Sequence, residues 1–120
     1  MELQRIEHNG KTYLQGPAGQ PLLRKMDEAT RLVEACMNEG TDGLLLYAEN
    51  LTDRFFDLSS TEAGNILPKL RQYRIRLAVV WSAEIRPLST HFAELMVEEN
   101  REPYFRLFEK RDEAEAWLTR

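Results

Sequence analysis

Two hydrophobic periods take turns along this chain, one close to two residues and the other close to three and a half. Residues 3–8 and 11–14 are short alternating segments on either side of Asn9-Gly10. Asn-Gly suits a two-residue turn because both residues tolerate positive φ, so this stretch predicts a β-hairpin. The turn cluster Gly16-Pro17-Ala18-Gly19-Gln20-Pro21 follows. Ala29, Leu32, Val33, Cys36 and Met37 then recur at i, i+3, i+4, i+7 and i+8, one stripe of an amphipathic helix. Asp27 is placed to cap that helix and Gly40 to end it in the left-handed conformation. Residues 43–48, Gly-Leu-Leu-Leu-Tyr-Ala, do not alternate, as expected of a strand covered on both faces.

The second half repeats the scheme. Ser59, Ser60 or Thr61 caps a second helix whose stripe is Ala63, Ile66, Leu67 and Leu70, and Pro68 inside it lacks an amide donor and is expected to kink or shorten it. Residues 77–81 form a second run of central-strand character. Ser89 caps a third helix with Phe92, Leu95 and Met96 inward, ended by Asn100 and Pro103. Residues 104–108 read as a short alternating strand. Asp112, with Glu115 three residues later, makes a capping-box-like start to a last helix that buries Ala114, Trp117 and Leu118. The order β-β-α-β-α-β-α-β-α predicts one α/β domain over residues 1–120, a mixed, mostly parallel sheet with helices packed on it.

Composition narrows the class. The chain has 120 residues, 42% hydrophobic and 30% charged, a balance that supports one packed core. Its one cysteine, Cys36, excludes an internal disulfide framework and a cysteine zinc cluster. Sixteen basic against 20 acidic residues leave a net charge of −4, which speaks against a nucleic-acid partner. No run approaches the roughly 20 apolar residues of a membrane span, and the opening residues carry no basic-then-apolar leader, so a cytoplasmic address is expected.

Candidate chemistry is sparse. His8 and His91 share no metal-ligand spacing with each other or with Cys36, whose place on the helix stripe predicts a buried, inert thiol. No phosphate-cradling glycine loop and no nucleophile elbow occurs, and no cofactor is expected. Glu49, Asp53 and Asp57 cluster after the third strand, where loops of open α/β sheets commonly bind ligands. They are a candidate site for Mg²⁺ or a polar ligand, although their spacing matches no specific ligand pattern, and a solvated acidic loop is the simpler explanation. Residues 54–86 hold six basic against three acidic residues. A basic face for an acidic partner is one explanation. Cations drawn to the C-terminal dipole of the second helix account for Lys69, Arg71 and Arg74 without one.

The most informative segment is Phe55-Phe56-Asp57-Leu58-Ser59-Ser60. It is expected to set an acid and two hydroxyls at a helix N-terminus, behind an aromatic pair of which one ring is expected to fill the core and the other is a candidate interface contact. Capping explains the serines. A phosphoserine there would gain amide hydrogen bonds and a favourable dipole, while crowding Asp57.

Glu49-Asn50-Leu51, Phe55-Phe56-Asp57-Leu58-Ser59, Ala63-Gly64-Asn65-Ile66-Leu67 and Tyr73 together resemble the bacterial family known as domain of unknown function 4180. The similarity continues through residues 77–80 and Asp112-Glu113-Ala114 and implies kinship without an activity. The same segment is similar, more distantly, to STAS domains, the sulfate transporter and anti-sigma factor antagonist modules. Those share this element order and carry an acid and a phosphorylated serine at the start of the second helix. The resemblance implies that Asp57 matches the signature acid and Ser59 the modified serine. Leu58 replaces a small polar residue of that signature, and Ser60 stands where glycine is usual. The expected function is a non-catalytic signalling or interaction module with a protein partner, or a second copy of itself, using Phe55, Asp57, Ser59 and Ser60. The competing expectation is a small-ligand binder or enzyme built on Glu49, Asp53 and Asp57.

Overall fold

Asn9 and Gly10 take positive φ, 54° and 77°, and the chain reverses there. Gln4–His8 (β1) and Lys11–Gln15 (β2) pair antiparallel, with Ile6 opposite Tyr13 and His8 opposite Lys11. In the computed structural model, which describes residues 3–18, 29–51, 62–81 and 104–120, this hairpin forms one side of a five-stranded sheet. Gly43–Tyr47 (β3), Arg76–Val80 (β4) and Phe105–Phe108 (β5) follow in chain order, each parallel to its neighbour from β2 onward. The described helices are Ala29–Glu39 (α1), Glu62–Gln72 (α2) and Arg111–Leu118 (α3). The expected mixed, mostly parallel α/β sheet is the fold that forms. Asp27 and the expected helix containing Ser89, Phe92, Leu95 and Met96 lie outside the described residues.

The central strands lack alternation because both of their faces are covered. Leu44 and Leu46 of β3 and Leu77 and Val79 of β4 pack with Leu32, Val33 and Cys36 of α1 and with Leu67 and Leu70 of α2. On the opposite face Leu45, Ala78 and Tyr13 meet Ala114, Trp117 and Leu118 of α3. Crossovers of one hand along a sheet built in chain order place their helices on the same face. The helix after the last strand is under no such constraint, and it closes the other face.

α1 ends at Gly40 as expected, whereas the other helix ends depart from expectation. Gly40 has φ 66°, and Thr41 N donates to Cys36 O (3.0 Å) while Gly40 N donates to Met37 O (3.2 Å), the paired bonds of a Schellman ending. α2 ends likewise without a glycine: Ile75 N donates to Leu70 O and Arg74 N to Arg71 O, both at 2.9 Å, with Arg74 at φ 58°. Met37, expected on the buried stripe, is 67% exposed, because it sits in the last turn of α1, where the chain bends away at Gly40. α2 continues through Pro68 as one helix: losing one amide bond is outweighed where Leu67 and Leu70 are buried on either side. α3 begins at Arg111 behind Lys110, whose side chain makes no cap. The expected Asp112–Glu115 capping box does not form, since Glu115 turns toward β2 instead.

Candidate functional site

Of the residues singled out in the sequence, Asp53, Phe55, Asp57, Ser59 and Ser60 lie outside the described residues. Glu49 is exposed in the 3₁₀ turn Ala48–Asn50 at the carboxyl end of β3, the edge where α/β sheets bind ligands. Its neighbour Asn50 is fully buried. The Asn50 Oδ1 accepts from Tyr47 N (2.7 Å), and its Nδ2 donates to Pro17 O (2.6 Å). Gly16 N donates to Leu45 O (2.9 Å), and a Cβ on Gly16 would stand 2.4 Å from Asn50 Oδ1. Asn50 is therefore a bolt between the turn after β2 and the end of β3, and it aims Glu49 outward. Among the described residues no three His, Cys, Asp or Glu side chains converge as a metal site.

A polar cluster not anticipated from the sequence lies on the α3 face of the sheet. Tyr13 projects from β2 and is fully buried, and its hydroxyl donates to Glu115 Oε2 of α3. Arg111, one turn earlier on α3, donates from Nη2 to the Tyr13 hydroxyl (2.8 Å) and from Nε to Gln15 Oε1 (2.9 Å), with Nη2 also 3.3 Å from Glu115 Oε2. His8 Nδ1 stands 3.4 Å from Glu115 Oε1. The Tyr13 hydrogen bond, seconded by Arg111 and His8, holds the Glu115 carboxyl below its usual range against the opposing effect of burial. Burial, with the Glu115 bond, pushes the Tyr13 hydroxyl well above its ordinary value. Each polar group has its partner within the cluster, so the arrangement fastens α3 to the hairpin. The i,i+4 pair Arg111–Glu115 is visible in the sequence, whereas Tyr13 lies 102 residues away from Glu115 and no local pattern connects them.

The opposite, amino-terminal edge of β3 and β4 holds a cleft of about 530 Å³ lined by Lys11, Cys36, Met37, Thr41, Asp42 and Arg76, among others. Cys36 is buried as expected, and burial pushes its thiol up to about 12, which favours the protonated form over the nucleophilic thiolate. Arg76 is committed to structure. Its Nη2 donates to Leu118 O (2.7 Å) and its Nη1 to Trp117 O (3.3 Å), its guanidinium lies 5.8 Å from the Trp117 ring centre, and Asp42 Oδ1 stands 3.5 Å away. A cation at these last carbonyls complements the dipole of α3. This basic residue of the 54–86 stretch thus faces inward to the chain's own helix. Lys69 likewise donates to Thr30 Oγ1 of α1.

What the second helix presents outward is different. Tyr73 is 48% exposed in the turn that ends α2, and Gln72 and Arg74 beside it are exposed as well. Arg74 holds the left-handed conformation that glycine adopts most cheaply.

No helix among the described residues is long and apolar enough to cross a membrane. No curated protein and no solved structure matches this chain. One family model does, from the last residue of β1 to the last residue of α3. It is described as a domain of unknown function (DUF4180), it spans residues 8–118, and the chain belongs to that family.

Proposed function

We propose that this chain is a non-catalytic, STAS-like signalling or protein-interaction module that docks a protein partner through α2 and the turn ending it. One observation carries the reading: a half-exposed aromatic, Tyr73, stands beside Arg74 in a left-handed conformation that costs about 1 kcal/mol or more for a residue with a Cβ. Strain kept at a surface where glycine would remove it points to a side chain wanted for its contacts. Aromatic and arginine side chains are also the commonest anchors of protein interfaces. Tyr73 belongs to the residues that carry the family resemblance. In this reading Phe55 and Asp57, which precede the same helix in the sequence, contribute to the docking segment, and Ser59 and Ser60 are where a phosphate would regulate docking.

The test is affinity capture from the source cell with wild type, Tyr73→Ser and Arg74→Gly, beside Ser59→Asp and Ser59→Ala. Loss of one shared partner in the Tyr73 and Arg74 variants, with folding intact, supports the reading. If all five recover the same proteins, it is wrong. A thermal-shift series with Mg²⁺ addresses the competing reading, in which Glu49, Asp53 and Asp57 hold a ligand. An unchanged melting temperature is expected, and a concentration-dependent rise would favour the ligand site instead.

A further inference from the structure

β1 is the edge of the sheet, and among the described residues nothing pairs with its outer side. Natural edge strands are usually blunted by proline, by charged side chains (lysine above all), by a bulge or by extreme shortness, and the charges on β1 are one of each sign, Arg5 and Glu7. β1 has neither proline nor lysine, and its register against β2 runs unbroken from Gln4 to His8. Its backbone parity follows from the hairpin. His8 and Lys11 flank the two-residue turn and exchange backbone bonds across it. By alternation Ile6 and Gln4 also face β2, so Arg5 and Glu7 turn their amides and carbonyls outward.

We propose that this edge is the seam of a symmetric homodimer, in which β1 pairs antiparallel with β1 of a second copy about a two-fold axis at Ile6. That register sets Arg5 directly opposite Glu7 of the second copy, and Glu7 opposite its Arg5. Those are the residues whose backbone groups are free to exchange both hydrogen bonds. Their side chains share one face of the strand and are opposite in charge, so each pair is attractive. Ile6 meets Ile6 on the other face, where it already packs at the rim of the cluster formed by Tyr13, Leu45 and Trp117. The apolar layer of one copy thereby continues into the other.

Competing registers are disfavoured by the same residues. An axis at Arg5 sets Arg5 against Arg5, and an axis at Glu7 sets Glu7 against Glu7, with like charges directly opposed. A slip that breaks the parity turns outward-facing amides against none. The strand is therefore self-complementary in one register, as an isologous interface requires. Arg5 lies 3.4 Å from Glu39 of its own chain, an exposed pair of little strength that leaves most of the guanidinium donors available. The β1 seam and the α2 docking surface share no residue, so either can fail without the other.

The experiment is sedimentation of the full chain across micromolar to millimolar concentration, with Arg5→Glu, Glu7→Arg and the double variant carrying both. Wild type should dimerise, more weakly at high salt because the paired charges are screened. Each single reversal sets like charges opposite one another twice and should weaken the dimer by about tenfold or more. The double variant restores opposite charges and should restore the dimer, and an equimolar mixture of the two single variants should form a heterodimer. Both positions are on the exposed edge, and circular dichroism confirms that the variants fold. A wild type that stays monomeric throughout overturns the proposal, including one whose Arg5 and Glu7 amides are protected from exchange by another part of its own chain. A dimer indifferent to the single reversals overturns it as well.

Discussion

Replacing Glu115 tests whether the buried cluster on the α3 face fastens the last helix to the hairpin. Tyr13 is fully buried and its hydroxyl has one donor, Arg111, and one acceptor, Glu115. Glu115→Ala removes the acceptor and leaves a buried hydroxyl proton unpaired, which costs ~1–3 kcal/mol on top of the lost charge-assisted bond. Tyr13→Phe removes the hydroxyl and leaves Glu115 its contacts with Arg111 and His8, so its cost should be smaller, ~1–2 kcal/mol. Because the two side chains share one bond, the double variant should cost less than the sum, with a coupling of ~1–2 kcal/mol. Urea unfolding followed by tryptophan fluorescence measures all three, since Trp117 lies on the same helix. The pH dependence has a definite sign. Glu115 is depressed in the folded state, so its contribution is complete above the ordinary carboxylate value of about 4.3 and is lost as the pH falls through the lower folded value. The advantage of wild type over Glu115→Gln should therefore shrink on acidification. Additive single variants, or a wild-type advantage that does not change between neutral and strongly acid pH, would refute this account of the cluster.

Trp117 is 5% exposed, with Phe108 at 5.7 Å and the guanidinium groups of Arg76 and Arg106 at 5.8 and 5.9 Å from its ring. Trp117→Ala should cost ~3–5 kcal/mol in the same unfolding assay, and a cost below ~1 would mean that α3 adds little to the core. Arg74→Gly should raise stability by about 1 kcal/mol by relieving the left-handed turn, and a loss of stability would show that the side chain contributes more than its backbone costs. Cys36 should resist alkylation in the native protein and react on unfolding. Because burial raises its thiol to about 12, its stabilising contribution is complete below the ordinary thiol value of about 8.5 and fades as the pH rises above it, so Cys36→Ala should flatten the alkaline fall in melting temperature.

Local signals were legible wherever one residue's own conformation decides the outcome. Asn9-Gly10 turns the hairpin because both residues accept positive φ, and Gly40 ends α1 for the same reason. Arg74 ends α2 without any such signal, since the turn is imposed by the strand that must follow at Arg76. The Asp112–Glu115 spacing promised a capping box, yet Glu115 is drawn to Tyr13, a partner no local pattern can announce. Met37 satisfied the helical period and is nevertheless exposed, because periodicity describes an endless helix and this one stops three residues later.

The order of the described strands and helices, the doubly covered central strands and the burial of the Cys36 thiol were determined by the sequence alone, because each follows from the period or burial of residues close together in the chain. Which face each helix takes, the bolt made by Asn50, and the meeting of Tyr13 with Arg111 and Glu115 were decided by tertiary structure. Those contacts join residues 33 to 102 positions apart, and their partners are selected by where the assembled sheet delivers them rather than by anything in the neighbouring sequence.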